Sequence, residues 1–380
     1  MSRWWWAAAL MVCACQPKGA DTDDTDAADD TDAADDTGDP GLSYTFGAFL
    51  EPPEGRVLHG IGQWNQGNDN FLSALEDMGA TAVMPASELT FISLGLDNDE
   101  GRGWDWALDA LETALANGDF DGRIPSLSLA LRGEHLSGDD YVEGYGIDEL
   151  VATSDEYDDR IQAYIDVVIA YGQPVFLRIG GEFNGFWNGY EAGMYPLAYR
   201  KIVQMFRDSG ADNVAFVWCY EPAAPGNFAQ VDGDGNPLWF PGNDVIDWYG
   251  IDVFHLNDFA GDGAKPNRTE AFLAMALEAG KPVVVAESTA RDSTITDDPD
   301  LAAAYWDEWF SHYFAWLGEH EHIKAFHYIN VDWTGLGHYG EAGWGQADMT
   351  VNPALMELFV EEISGEQYLH LAEIDKLNGY

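Results

Sequence analysis

Two glutamates at the ends of apolar runs carry the chemistry this sequence offers. Glu182 lies at the centre of Gln173–Tyr190, QPVFLRIGGEFNGFWNGY. Val175, Phe176, Leu177 and Ile179 form a short apolar run bounded by Pro174 and the pair Gly180-Gly181, which reads as a buried parallel strand. The carboxylate then falls just past the strand's C-terminal end. Arg178, four residues upstream, points to the same face of a strand whose side chains alternate. Phe183, Phe186, Trp187 and Tyr190 follow at once and put flat apolar surfaces with polar edges beside an acid, which suits a sugar. Glu287 repeats the design in KPVVVAESTA, where Val283, Val284 and Val285 run into the acid and then into Ser288-Thr289.

Two carboxylates on matched strand ends suit paired acid–base and nucleophile work, which holds them about 5–5.5 Å apart in retaining glycosidases. The general acid must keep its proton near neutral pH, so Glu182 is expected among its aromatic neighbours and repelled by the other carboxylate. The nucleophile must be charged, and Arg178 is the natural partner for Glu287. A pair of structural ion pairs is the alternative. Trp187, Trp218 and Trp333 are candidates for stacking on sugar rings, with Asp332 in NVDWTG as a hydroxyl ligand. Asp252 is a weaker candidate for that role. His59, His255 and His327 show neither HxH nor HExxH spacing, so no metal is expected and no cofactor is called for. Cys219 is expected to be a buried, inert thiol.

These side chains need a scaffold that brings distant strand ends together. Beyond Tyr44 short apolar runs alternate with amphipathic segments, the pattern of βα units. Eight strands are assigned: Val57–Gln63, Ala80–Pro85, Ile124–Ala130, Val175–Ile179, Val214–Trp218, Trp248–Val253, Val283–Glu287 and Ala325–Ile329. Helices are expected near Asp69–Met78, Trp104–Asn117, Asp155–Tyr171, Tyr195–Ser209, Thr269–Ala279, Asp300–His320 and Pro353–Ile363. Loops at Ser87–Gly103, Arg132–Ser154 and Ala223–Asn243 would fall on the C-terminal rim of a (β/α)8 TIM barrel, where active sites lie. The fold class is therefore α/β, over residues 44–380 of the 380.

The N-terminus differs in kind. Arg3 and an apolar stretch from Trp4 to Val12 resemble a signal peptide, too short to span a bilayer. Val12-Cys13-Ala14-Cys15 resembles the bacterial lipobox, which implies a signal peptide over 1–15 and lipidation at Cys15. Residues 16–43 then read as a disordered Asp/Thr/Ala-rich tether, since the stretch from Asp21 to Asp39 holds ten acidic and no basic residues. The expected location is the cell envelope, with the membrane reached only through the lipid. The whole chain carries a net charge of −50, so an acidic surface belongs to the folded part too. That argues against nucleic acid and polyanionic partners and suits a neutral ligand met by a monomer.

The arrangement of one Glu after strand four and another after strand seven resembles the clan of retaining (β/α)8 glycoside hydrolases, and RIGGEFNGFW is most similar to family 26, the β-mannanase family. The resemblance covers about Arg56 to Ile363. It implies Glu182 as acid/base, Glu287 as nucleophile, and Trp218 and Trp333 near the sugar cleft. It implies an endo-β-glycosidase of the mannan endo-1,4-β-mannosidase type acting by double displacement. Gly181 stands where the family usually has His. A non-catalytic glycan-binding protein is the alternative.

Overall fold

A computed structural model describes residues 41–63, 65–96, 103–134, 145–224 and 228–380. The expected signal peptide, Cys15 and the tether up to residue 40 lie outside the described residues. Eight parallel strands form the barrel: β1 (Val57–Gly62), β2 (Ser87–Leu96), β3 (Ile124–Glu134), β4 (Val175–Glu182), β5 (Val214–Tyr220), β6 (Trp248–Val253), β7 (Val283–Ser288) and β8 (Ile323–Tyr328). Each pairs with the next, and β1 pairs with β8 through Leu58↔Ala325 and Gly60↔His327, so no edge is left open. This is the (β/α)8 TIM barrel. Two short strands are appended: Tyr145–Gly146 runs antiparallel to β3, and Tyr368–Leu369 runs parallel to β1.

Period-two alternation sorts the strand residues into two cores. Leu58, Ile124, Phe176, Ala215, Trp248, Val284 and Ala325 fill the barrel's N-terminal end, where Leu50, Leu369 and Leu377 close it off. The indole of Trp248 donates to the Phe49 carbonyl at 2.8 Å and ties the chain ahead of β1 to that plug. The outward residues, among them Leu127, Leu177, Phe216, Ile251 and Val285, pack against the helices. Helices Trp104–Asn117 and Pro353–Ile363 have the bounds read from the sequence. Gly118, at φ 74°, ends the first in the left-handed conformation that glycine adopts without strain. Asn352 caps the second by accepting from Leu355 N at 3.0 Å.

The second strand differs from expectation. Ala80–Pro85 is a connector with a 3-10 turn at Thr81–Val83, and β2 begins later. The strand is the alternating SELTFISL, and its register, Gly60↔Ser87 and Ser87↔Ile124, is the one that joins β1 to β3. The Met84 carbonyl accepts from Leu371 N at 2.9 Å, so this segment is tied to the C-terminal residues instead of pairing within the wall. Most of the segment expected to loop over the rim at Ser87–Gly103 is therefore strand. The segment expected as one helix over Asp300–His320 starts as a 3-10 turn and carries a π-helical turn at Trp306–Phe310. No described helix is long and apolar enough to cross a membrane.

Candidate active site

Glu182 is aimed by a bulge. Between Arg178↔Val217 and Glu182↔Cys219, β4 uses four residues where β5 uses two. Gly180 and Gly181 absorb the excess at φ 80° and 58°. Space decides the first, since a Cβ on Gly180 would lie 2.5 Å from the Tyr195 ring. Conformation decides the second, because the nearest atom to a Cβ on Gly181 is Arg178 Nη2 at 3.6 Å. The bulge is held from outside. Tyr195 Oη donates to Ile179 O at 2.8 Å, Tyr190 Oη to Gly180 O at 2.8 Å, and Asn188 Nδ2 to Glu182 O at 2.7 Å.

Arg178, Asp252 and Glu287 complete the centre. Arg178 sits on the inner face of β4, fully buried, with Nη1 on Glu287 Oε1 and Nη2 on Asp252 Oδ2 at 2.5 Å. Asp252 follows Gly250 on the inner face of β6, and a register shift between Ile251 and Asp252 sets it opposite Glu287 on β7. Its other oxygen accepts from the Cys219 thiol at 3.3 Å. One oxygen from each of Glu182, Asp252 and Glu287 lies within 4.8 Å of the others. Those three carboxylates are a group that a metal ion could bridge, yet the guanidinium already supplies a fixed positive charge to two of them.

Electrostatics separates the acids. Burial, reinforced by the charge of Glu287, pushes the Glu182 carboxyl up to about 7, against the pull of Arg178 and of Trp187, whose Nε1 donates to Glu182 Oε2 at 2.9 Å. Burial also lifts Asp252 well above the usual carboxylate range in spite of Arg178. Glu182 thus keeps its proton up to near-neutral pH, while Glu287 and Asp252 are the acids engaged directly by the guanidinium.

Of the residues read from the sequence, Glu182, Glu287, Arg178 and Trp187 come together. Trp187 remains half-buried beside the exposed Phe186, with ring centroids 5.0 Å apart. Trp218 does not face the cleft. Cys219 occupies the inner face of β5, so alternation turns Trp218 outward, where it is fully buried and stacks on Phe183 at 4.6 Å. It supports the segment carrying Glu182 from behind. Trp333 is likewise fully buried, its Nε1 on Thr289 Oγ1 at 3.3 Å, and it presents no face for a sugar to stack on. Asp332 is exposed and caps the 3-10 turn that follows by accepting from Thr334 N at 3.0 Å and Thr334 Oγ1 at 2.6 Å.

Of two further acids at the centre, one was underrated and the other was not singled out. Asp252 ranked below Asp332, although its alternation with Gly250 marks it as inward. Glu221, just past β5, carries the same strand-end signature as Glu182 and Glu287 in VWCYEP. It is buried, its Oε1 accepts from Ala223 N at 2.7 Å, and its Oε2 has no partner among the described residues. Burial, with the charges of Asp258, Glu182 and Asp252, pushes it well above the usual carboxylate range.

No protein-family model matches the chain. It is 27% identical over 354 residues to the beta-1,3-xylanase TXYA of a Vibrio species, covering 87% of this chain and 70% of that protein. It is also 27% identical over 248 residues to a beta-1,3-xylanase of an Alcaligenes species, covering 59% of this chain and 50% of that one, so it spans half of that relative's length. Among solved structures it is similar to a modular endo-beta-1,4-mannanase from Cellulomonas fimi, with TM-score 0.54, 19% identity, and 84% and 73% of the two chains covered. A GH26 beta-mannanase from Bacteroides ovatus gives TM-score 0.50 and 15% identity over 85% and 91%. At these identities the solved structures show a shared barrel fold.

Proposed function

We propose that this chain is a retaining endo-β-glycosidase in which Glu287 is the nucleophile and Glu182 the acid/base. The observation that carries the reading is the convergence of the two carboxylates, from β4 and β7, to within 4.8 Å with a guanidinium on one of them. That proximity fits the close spacing of a retaining pair better than the wider one an inverting pair needs to place a water at the anomeric carbon. Glu287 attacks the anomeric carbon while Glu182 passes its proton to the departing glycosidic oxygen. Glu182, now ionised, takes a proton from water as that water breaks the glycosyl–Glu287 ester, and the starting configuration returns. A purely glycan-binding role gives no reason for one acid to be raised to about 7 beside another held by Arg178.

For the substrate, the names of the two similar chains support a β-1,3-linked xylan, and the mannanase names of the fold neighbours support β-mannan as the second to test. Proton NMR of the first product from β-1,3-xylan and β-1,4-mannan tests the reading. A β-anomer at first release is expected, and an α-anomer overturns the mechanism. The envelope location and the Cys15 anchor belong to the same proposal, with release of active protein expected from Cys15→Ser. Retention of that variant in the membrane fraction would remove the anchor.

A further inference from the structure

Arg291 lies four residues past Glu287 on the loop leaving β7. Its main-chain N–H donates to Thr289 O at 2.8 Å and to Phe254 O, past the end of β6, at 3.3 Å. The next residue, Asp292, donates its N–H to Trp344 O at 3.0 Å, which ties the loop to the segment beyond β8. Arg291 therefore stands where the chain leaving β6, β7 and β8 meets, on the rim that carries Glu182 and Glu287.

Its surroundings are unusual for a cation in a chain with 17 basic and 67 acidic residues. The side chain is half-buried, with Cζ 4.2 Å from the centroid of the Trp344 ring. Nε is buried without a hydrogen-bond partner, and among the described residues the guanidinium makes no ion pair. Burial pushes it down from its ordinary value, while Asp292, Asp258 and Glu221 act on it from farther off. Arg200, by comparison, holds both oxygens of Asp244 at 2.8 and 2.7 Å. Burying a guanidinium without such a partner is costly unless another hydrogen-bonding group meets it.

We infer that Arg291, laid flat on Trp344, is a glycan-binding residue whose guanidinium donates to a pair of hydroxyls on a neutral sugar unit bound beside the one that Glu287 attacks. The inference rests on the glycosidase reading and adds a specificity determinant to it. A neutral sugar is favoured over an anionic one because the net charge of −50 repels anions, whereas hydroxyls accept from a guanidinium without a charge of their own. The half-buried ring of Trp344 beneath the cation holds its planar fork in place.

Calorimetric titration of the full chain carrying Glu287→Gln, which leaves the probe uncut, tests this with β-1,3-xylotetraose and β-1,4-mannotetraose. Adding Arg291→Met is expected to weaken the better probe about tenfold, the loss that follows from removing a charge-assisted hydrogen bond. In the otherwise native enzyme the same change should raise KM and leave kcat within about twofold. Arg291→Lys keeps the charge and loses the fork. It is expected to weaken binding as well, and it carries the test should the Met variant not fold. Unchanged affinity in the folded variants overturns this inference alone. Absence of binding to both probes in the Glu287→Gln protein, with no hydrolysis by the native chain, overturns the glycosidase reading and this inference with it.

Discussion

Arg178 on β4 pairs with Glu287 on β7, three strands away around the barrel, so the strand that ends in the acid/base also supplies the counter-charge of the nucleophile. Because the same guanidinium holds Asp252 at 2.5 Å, removing it leaves two buried carboxylates without their cation. Arg178→Met is expected to lower kcat by about 10²–10³, as loss of a preorganised electrostatic partner does. Breaking a buried pair also destabilises by about 3–5 kcal/mol. Arg178→Lys is not expected to restore either property, since one ammonium lacks the planar fork that spans both acids. Steady-state kinetics with urea unfolding checks this, and activity within about tenfold of native would show that Glu287 works without the pair.

The raised Glu182 carboxyl makes both activity and stability depend on pH. As general acid it must be protonated, so kcat/KM should fall as pH rises through about 7. In the unfolded chain the same group titrates near 4.5, which means that between 4.5 and 7 the unfolded state ionises while the folded state keeps the proton. Below that window Glu182 costs nothing. Across it stability declines with rising pH, and above it the full penalty of the buried charge persists. Glu182→Gln removes this dependence, so its Tm relative to native should rise by several degrees from pH 4 to pH 8. A Tm difference that is flat across the window would mean that the folded carboxyl titrates normally.

Trp187 tunes that proton. Its Nε1–H bond to Glu182 stabilises the charged carboxylate and so holds the pKa below where burial alone would place it. Trp187→Phe keeps most of the ring and loses the donor. The alkaline limb of kcat/KM is expected to move to higher pH, with kcat lower by about tenfold because the carboxyl is less well oriented and, holding its proton more tightly, is a weaker general acid. An unmoved limb would show that the indole serves only as a sugar-facing surface.

Most of the barrel was legible because its strands are buried on both sides and read as apolar runs closed by Pro or Gly. What was not legible came from register. Strand β2 alternates polar and apolar residues, since its inner face carries Ser87 and Ser93 while Glu88 turns out to meet Arg123 at 2.7 Å, and it therefore resembled a loop. Glu182 and Glu287 were singled out because a carboxylate at a strand end stands out. Glu221 carries that signature and was passed over. Trp218 and Trp333 were misplaced for another reason: an aromatic residue near a strand end gives no sign of the face it occupies until its neighbours are counted. Counting from Cys219 turns Trp218 outward. Asp252 needed the shift between β6 and β7, which no local pattern announces.

The assignment of roles to the two glutamates is tested by the leaving group. An aryl glycoside with a very acidic phenol departs with little protonation, so Glu182→Gln should slow hydrolysis of the natural polysaccharide far more than the first release of the phenol. Breakdown of the glycosyl–Glu287 ester still needs a base. A burst of phenol followed by a slow phase is therefore expected, and azide, a small anion that needs no base, should speed the slow phase. Glu287→Gln removes the atom that forms the covalent bond and should abolish turnover of both substrates, because leaving-group acidity cannot replace a nucleophile. The structure gives the asymmetry a cause: burial and the charge of Glu287 raise Glu182 to about 7, while Glu287 pairs with Arg178. If Glu182→Gln slowed both substrates equally and Glu287→Gln spared the aryl glycoside, the two roles would have to be exchanged. If neither substitution altered turnover, the reaction would not run through this pair of carboxylates.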